Sequence, residues 1–288
     1  MKKDILFANG CSFTAGGGLD PWYMEYNNQC LGEIFGSYNL SDGFFDRLQE
    51  WQEIHEVETD VLINHDKRLS MLWPYKLSKL MNMSEHVNLS IGCGSNQRII
   101  RTTLEWIMQQ DRSTLDRTIA IIQLTEPSRY EYYQDDIDEW TLNKIEHVQF
   151  VGTDAEIEYA NVLNEHRLST FTWVEGIFKI VDTCLTLDNI FKSFGIEYYL
   201  CTNSNDMRYL TKMIKTHQPK MCNYESHRYS VSSLTKYLSL INKSCNWING
   251  TYEKSVLCEM GLETLVNDAH YSQKGHAQLA SLLHSHFR

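Results

Sequence analysis

The sequence predicts an α/β protein in which a parallel β-sheet is covered by helices on both faces. Short apolar runs rich in β-branched and aromatic residues recur at wide intervals along the chain. Stretches with apolar residues at helical spacing lie between these runs, and a further such stretch ends the chain. Strands that alternate with helices form parallel sheets with both faces buried.

The predicted strands, in chain order, are residues 5–8, 86–91, 118–124 and 196–201. The predicted helices are residues 96–109, 173–194 and 275–287; in the last of these, Leu279, Leu282, Leu283 and Phe287 share one side. We expect a single domain over residues 1–288, with one sizeable core. Two aromatic and acidic segments, at about 19–75 and 130–168, are predicted insertions above the sheet.

Charge and hydropathy argue against several classes of partner. The chain has 288 residues and a formal net charge of −11, and its Lys and Arg residues are scattered. It therefore lacks the basic surface that nucleic acids and anionic lipids require. No apolar run approaches the ~20 residues of a membrane span, and the N-terminal apolar stretch is too short for a signal peptide. We expect a soluble, cytoplasmic protein without nucleic-acid or membrane partners.

Cysteine and histidine spacing bears on metals and disulfides. Eight cysteines occur without any CxxC pair, which predicts small buried hydrophobes rather than a disulfide framework. None of the eleven histidines stands in an HExxH pattern or in paired His/Cys spacing. The sequence therefore predicts no metal and no cofactor.

The first predicted strand runs directly into a turn of small residues with Ser12 at its centre. Residues 5–18 read ILFANGCSFTAGGG. Ligands of open parallel sheets bind beyond the carboxyl ends of the strands, where a turn into a helix also directs free backbone N–H groups. Ser12 is thus a candidate nucleophile beside an oxyanion donor. The alternatives are a phosphate loop, although neither Gly-Lys-Ser/Thr nor GxGxxG is present, and a structural turn with Ser12 as a helix cap.

A second motif, Asn267-Asp268-Ala269-His270, lies just before the terminal helix. A serine hydroxyl becomes a nucleophile when an imidazole accepts its proton, and a carboxylate fixes the tautomer of that imidazole. We predict His270 as the general base for Ser12 and Asp268 as the residue that orients His270. An Asp-x-His motif alone is more often a loop or cap feature, so the interpretation depends on its pairing with a strand-end serine.

Together these motifs resemble the sequence blocks of the SGNH, or GDSL-like, hydrolase superfamily. Residues 10–14 are similar to the first block, residues 88–96 to the second, and residues 268–270 to the last. The resemblance implies a flavodoxin-like three-layer α/β/α fold with a five-stranded parallel sheet in the order 2-1-3-4-5. It also implies ester hydrolysis through an acyl-enzyme, with the backbone N–H groups of Ser12 and Gly94 in the oxyanion hole.

The chain departs from the family pattern at three places. Cys11 replaces the usual Asp before the serine, which leaves a nucleophilic Cys11 as a further alternative. The third block normally contains an Asn that donates to the oxyanion, and here Thr125 or Asn96 would have to supply that donor. One residue, Ala269, separates Asp268 from His270, where the family commonly has two, so Asn267 occupies the usual position of the carboxylate.

Two features bear on the substrate. The rings of the first insertion suit a lid over Ser12, with Trp22 as a predicted substrate contact, although such rings also commonly pack an insertion onto a core. Arg129, at the mouth of the third predicted strand, is predicted to bind a carboxylate or phosphate of the substrate, with pairing to a neighbouring acid as the alternative.

We predict a serine esterase that removes a small acyl group, with O-acetyl groups on a carbohydrate as the preferred substrate. The alternatives are an O-acyltransferase, a non-catalytic carbohydrate-binding protein with the same fold, and a metal-dependent hydrolase.

Overall fold

A computed structural model of the chain describes residues 2–26, 29–31, 44–54, 62–92, 94–134, 139–144, 173–203, 231–257, 260–265 and 270–288. The strands in these ranges are β1 (Ile5–Asn9), β2 (Met24–Tyr26), β3 (Gln29–Cys30), β4 (Leu62–Ile63), β5 (Glu85–Asn88), β6 (Thr118–Leu124), β7 (Arg129–Gln134), β8 (Glu139–Lys144) and β9 (Glu197–Thr202). The α-helices are α1 (Ser12–Ala15), α2 (Asp20–Tyr23), α3 (Phe44–Ile54), α4 (His65–Met71), α5 (Trp73–Leu80), α6 (Asn96–Gln109), α7 (Arg112–Arg117), α8 (Trp173–Phe194), α9 (Val231–Ser244) and α10 (Gln273–His286).

The main sheet has four parallel strands in the order β5-β1-β6-β9. This confirms the predicted α/β class. Numbered along the chain, these strands follow the order 2-1-3-4. Beside β9, two isolated parallel bridges join Leu200 to Trp247 and Thr202 to Val256. No fifth strand extends this sheet within the described ranges.

The central strands form because their sequences are apolar on both faces. Every residue of β1 and β6 is buried, as expected for parallel strands covered on two sides. The predicted strand at 86–91 ends earlier, at Asn88. There, the Asn88 side-chain oxygen accepts a hydrogen bond from the Ser90 N–H at 3.1 Å, and such local bonds compete with continued strand pairing.

Helices cover both faces of the sheet. On one face, Phe7, Ala120 and Ile122 pack against residues of α6, α8 and α9. On the other face, Leu6, Ala8 and Ile121 pack against residues of α5 and α10. The bounds of α6 and α8 are those predicted. The terminal helix begins two residues earlier than predicted, after Ser272, whose hydroxyl accepts from the N–H of Gly275 at 3.1 Å and caps the helix.

The two predicted insertions carry small sheets of their own. Between β1 and β5, strands β3-β2-β4 form a separate antiparallel sheet. Trp73, one of the rings of the first insertion, is fully buried in the core at the start of α5, so for this ring the alternative of packing onto the core holds and a place in a lid does not. In the second segment, β7 and β8 form an antiparallel hairpin. Residues 145–168 of this insertion lie outside the described residues.

Five of the eight cysteines lie within the described ranges, and all five are buried free thiols: Cys11, Cys30, Cys184, Cys201 and Cys245. This agrees with their predicted role as small hydrophobes, and burial raises the pKa of the Cys184 and Cys201 thiols. Of the helices that the structure describes, none is long and apolar enough to cross a membrane.

Candidate active site

Ser12 lies at the carboxyl edge of the main sheet, on the turn that follows β1. It is the first residue of α1, and Cys11 before it is the N-cap residue, with an extended backbone (φ −104°, ψ −161°) and no side-chain capping bond. The alternative that Ser12 caps a helix is therefore wrong. The backbone N–H of Ser12 belongs to the first turn, where N–H groups have no acceptor within the helix.

The side chains of Ser12 and His270 are joined by a hydrogen bond. His270 Nε2 lies 2.7 Å from Ser12 Oγ, although the two residues are 258 positions apart in the chain. This distance is within the range required for direct proton transfer between a nucleophile and its general base. When Nε2 accepts the hydroxyl proton of Ser12, the ring proton of a neutral His270 must reside on Nδ1.

Gly17 packs against both members of this pair. A Cβ atom added at Gly17 would lie 2.9 Å from His270 Nε2 and 3.0 Å from Ser12 Cβ. Any side chain at position 17 would therefore push the imidazole away from the hydroxyl. On another side of the imidazole, the Phe13 ring lies with its centroid 4.6 Å from that of His270.

The loop that carries His270 is closed by backbone hydrogen bonds. Leu265 N–H donates to the His270 carbonyl at 2.8 Å, and Thr264 forms an antiparallel bridge with Tyr271. Tyr271 is buried, and its hydroxyl donates to the side-chain oxygen of Asn203. Asp268 and Asn267, the candidates to orient His270, lie outside the described residues, so that role stays a prediction.

Gly94, a predicted oxyanion donor, lies directly against the turn that precedes Ser12. A Cβ atom at Gly94 would be 3.0 Å from the Gly10 carbonyl oxygen and 3.6 Å from Cys11 Cα. The Gly94 N–H donates to the Ile91 carbonyl oxygen at 3.4 Å, near the upper limit for such a bond. This weak bond could be exchanged for a stronger one to an oxyanion.

Asn96 and Thr125, the candidates for the third oxyanion donor, are bonded to each other. The Asn96 side-chain oxygen accepts from the Thr125 N–H at 2.9 Å, and its Nδ2 donates to the Thr125 carbonyl oxygen at 3.0 Å. Because a backbone N–H can only donate, this pair fixes which end of the amide carries the oxygen. One N–H of the amide remains for a ligand. Both residues are buried.

Asn9 anchors the turn that carries Ser12 through side-chain hydrogen bonds, a role that the sequence interpretation missed. Its side-chain oxygen accepts from the Gly10 N–H at 2.9 Å. Its Nδ2 lies 2.9 Å from Thr102 Oγ1 and 3.0 Å from Thr103 Oγ1, both on α6. Asn9 thus ties the turn to the helix that begins at Asn96. An Asn at the end of an apolar strand is the signal in the sequence that its side chain needs buried hydrogen-bond partners, but it does not identify α6 as their source.

His276 lies one helical turn into α10 and is fully buried. Its Nδ1 accepts a hydrogen bond from the Trp73 N–H at 3.2 Å. Burial, with smaller contributions from the nearby Lys76 and His270, lowers the pKa of His276 to about 3. His276 is therefore neutral at neutral pH and joins α10 to the start of α5.

The remaining predicted residues have different surroundings. Cys11 is 1% exposed, which is unfavourable for a reactive thiol that must reach a substrate. Trp22 is partly buried and packs against a small cluster that contains Leu19 and Leu72. The Arg129 side chain is 11% exposed, and its Nε lies 3.9 Å from Glu126 Oε2. The described ranges contain no group of three or more His, Cys, Asp or Glu residues that could hold a metal ion.

Comparison with known proteins adds one match. Residues 52–167 match the model of a family described as a family of unknown function (DUF6071). The matched segment contains Gly94, Asn96, Thr125 and Arg129 but neither Ser12 nor His270. No curated protein matches the chain. The match therefore brings no activity with it, and a functional assignment must start from the geometry of the site.

Proposed function

We propose that this protein is a serine esterase in which Ser12 is the nucleophile and His270 is the general base. The observation that carries the proposal is the 2.7 Å contact between His270 Nε2 and Ser12 Oγ. Two residues from opposite ends of the chain meet there, at the edge of the sheet where ligands of parallel α/β proteins bind. A hydroxyl and an imidazole at this distance form the minimal unit of nucleophilic acyl transfer.

In the proposed reaction, Ser12 Oγ attacks the ester carbonyl carbon while His270 Nε2 takes the hydroxyl proton. The tetrahedral intermediate collapses when His270 returns that proton to the departing alcohol oxygen, which leaves an acyl-serine. Water then attacks the acyl-serine with His270 again as base, and the carboxylic acid leaves. Asp268 is the proposed partner that orients His270.

The backbone N–H groups of Ser12 and Gly94 are the proposed oxyanion donors, with the side chain of Asn96 or Thr125 as the third. Support comes from the position of Gly94 against the serine turn and from the remaining N–H of the Asn96 amide. Preorganised donors of this kind commonly supply the largest single contribution to catalysis of acyl transfer.

We further propose that the chain is a divergent SGNH-type hydrolase with a sheet of order 2-1-3-4-5. The four parallel strands in the order 2-1-3-4 support this assignment. The chain around Trp247 and Val256, which bridges to β9 in parallel, is the proposed fifth position. Five buried free thiols support the proposal of a reducing, cytoplasmic location.

A small acyl group suits this site best. Ser12 is only 8% exposed, and Gly17 and Phe13 pack closely around the Ser12–His270 pair. An acetyl group needs little space beyond the carbonyl, whereas a long acyl chain needs an apolar groove. The proposed acyl group is therefore acetyl. The proposed alcohol is a carbohydrate, which the aromatic and acidic residues of the first insertion favour, and transfer to another alcohol would use the same acyl-enzyme.

Hydrolysis of p-nitrophenyl acetate by the purified protein tests the proposal. We expect turnover that Ser12→Ala lowers by about 10⁴-fold or more, because the nucleophile is lost. Ser281→Ala, which removes an exposed hydroxyl on α10, is the matched control and should leave turnover unchanged. Chelator treatment should also leave it unchanged, since the proposed mechanism uses no metal.

The other outcomes would reject the proposal. Turnover that survives Ser12→Ala but stops with chelator would indicate a metal-dependent hydrolase. A folded wild-type protein without turnover on any acetyl ester, but with affinity for carbohydrates, would indicate a binding protein.

A further inference from the structure

A cavity of about 80 Å³ lies between α6, α8 and the start of β7, and it shares Asn96 with the proposed oxyanion site. Its lining includes Asn96 and Gln97 of α6, Arg129 at the start of β7, and Lys179 and Asp182 of α8. Asn96 connects the cavity to the proposed oxyanion site. It lines the cavity, and its amide is bonded to Thr125, the other candidate for the third oxyanion donor. A group bound in the cavity would therefore sit one side chain away from the proposed oxyanion site.

Arg129 gives this cavity its chemistry. Its Nε and Nη1 atoms are buried and have no hydrogen-bond partner among the residues that the structure describes. Glu126 Oε2, at 3.9 Å from Nε, is too far for a hydrogen bond. Burying donors of a charged group without hydrogen bonds costs free energy. A ligand that accepts hydrogen bonds from Nε and Nη1 would recover part of that cost.

The first turn of α6 adds further donors. This helix has 14 residues, and the hydroxyl of its N-cap residue Ser95 accepts a hydrogen bond from the N–H of Arg98. The N–H groups at the first helical positions, Asn96 and Gln97, have no acceptors within the helix, and the helix dipole is positive at this end. Both the side chain of Arg129 and the start of α6 therefore favour an anionic group.

The acidic residues near the cavity limit the negative charge that a bound ligand can carry. Lys179 is paired with Glu175 at 2.7 Å, Glu126 lies beside Arg129, and Asp182 lines the cavity, so three acids accompany the two basic side chains. The Nε and Nη1 atoms of Arg129 are the donors that remain for an anion. These donors favour a singly charged carboxylate, because the nearby acids would repel a phosphate dianion more strongly.

We propose that this cavity, the Arg129 pocket, binds a carboxylate group of the substrate, so that the natural ester is an O-acyl derivative of an acidic sugar. The inference rests on the proposed esterase function and names the substrate class of that same site. Arg129 would hold the carboxylate by charge-assisted hydrogen bonds while the acyl group lies at Ser12.

Ligand-induced thermal stabilisation tests the pocket without relying on catalysis. With wild-type protein, we expect glucuronate to raise the melting temperature and glucose, its neutral counterpart, to leave it unchanged. Arg129→Met should abolish the glucuronate shift. Arg112→Met is the matched control, because it removes an exposed arginine that pairs with Asp116 at the surface, and it should retain the shift.

The ligand-free proteins provide a second measurement. Arg129→Met should melt at or above the wild-type temperature, because it removes a largely buried charge whose Nε and Nη1 atoms have no hydrogen-bond partner among the described residues. A variant that melts well below wild type, together with no glucuronate shift in the wild type, would show that Arg129 serves the fold alone. A shift with inorganic phosphate that equals or exceeds the glucuronate shift would overturn the carboxylate assignment.

Acetate release from acetylated sugars then tests the substrate class. Arg129→Met should raise KM for O-acetylglucuronate by about tenfold or more, with kcat little changed, and should leave O-acetylglucose unaffected. Equal effects on both sugars would overturn the proposal. Wild-type protein that binds glucuronate but does not hydrolyse p-nitrophenyl acetate would reject the esterase function alone, whereas an active esterase without glucuronate binding would reject the pocket alone.

Discussion

The turn that carries Ser12 and the loop that carries His270 are held in place by different means. The serine turn follows a fully buried strand and is fixed by the Asn9 side chain, which bonds to Gly10 and to two threonines of α6. His270 is half-buried, and among the described residues its backbone is held by the bond from Leu265 N–H to the His270 carbonyl. The nucleophile is therefore part of the core, whereas the base lies in the segment just before α10.

Because of this difference, substitutions in the two regions should affect stability and activity to different extents. Changes beneath the serine turn remove buried hydrogen bonds, so they should lower stability as well as activity. Changes at the contact between turn and loop should alter the relative positions of Ser12 and His270 and should affect activity far more than stability.

Among substitutions that leave Ser12 and His270 in place, the largest effect should come from the oxyanion donors beside the turn. We expect Asn96→Asp to lower kcat for p-nitrophenyl acetate by about 10²–10³-fold, because the substitution removes the donating N–H and adds a negative charge near the oxyanion. Thr125→Val is the matched variant, since it removes a hydroxyl but keeps the backbone groups that bond to Asn96. If Thr125→Val causes the loss and Asn96→Asp does not, the hydroxyl is the donor.

Gly17→Ala tests the contact between the two regions. The added methyl group would overlap His270 Nε2 and Ser12 Cβ, so we expect an activity loss of about 100-fold with little change in the unfolding midpoint. Gly92→Ala is the control, because nothing lies within 4 Å of a Cβ atom at that position. Full activity in Gly17→Ala would contradict the geometry of the Ser12–His270 pair.

Asn9→Ala tests how the turn that carries Ser12 is anchored, without changing the segment that carries His270. It removes several buried hydrogen bonds and leaves the Gly10 N–H and the α6 threonine hydroxyls with one partner fewer. We expect the free energy of unfolding to fall by about 3 kcal/mol, measured by urea denaturation. An unchanged free energy of unfolding would mean that Asn9 does not anchor the turn.

The pH dependence of stability tests His276, which lies on α10, the helix that follows His270. The pKa of buried His276 is about 3 in the folded state and near 6.5 in the unfolded chain, so the unfolded chain binds more protons between these values. The free energy of unfolding should therefore fall as pH drops below 6.5. The expected contribution is about 2 kcal/mol between pH 7 and pH 5.

His276→Asn should lack this contribution, because an Asn oxygen can accept from the Trp73 N–H without titrating. Urea denaturation of both proteins at pH 7 and pH 5 measures the difference. Equal pH dependence in the two proteins would contradict a buried, neutral His276.

Much of this architecture could be predicted because it depends on local pattern. The apolar runs of β1 and β6 and the helical spacing in α6 and α8 were sufficient to place those elements. Ser12 and His270 were predicted because strand-end position and motif spacing limit the chemistry. The features that could not be predicted depend on contacts between distant segments. Nothing local reveals that Asn9 bonds to α6, and nothing local decides between a lid and the core for Trp73.

Reaction with a fluorophosphonate probe tests the central claim most directly, because the probe modifies only a serine that a neighbouring base activates. We predict one adduct per chain by intact-protein mass spectrometry, with the modified peptide containing Ser12, and no adduct in His270→Ala or Ser12→Ala. A folded wild-type protein that remains unmodified, or one that is modified at a different serine, would contradict the assignment.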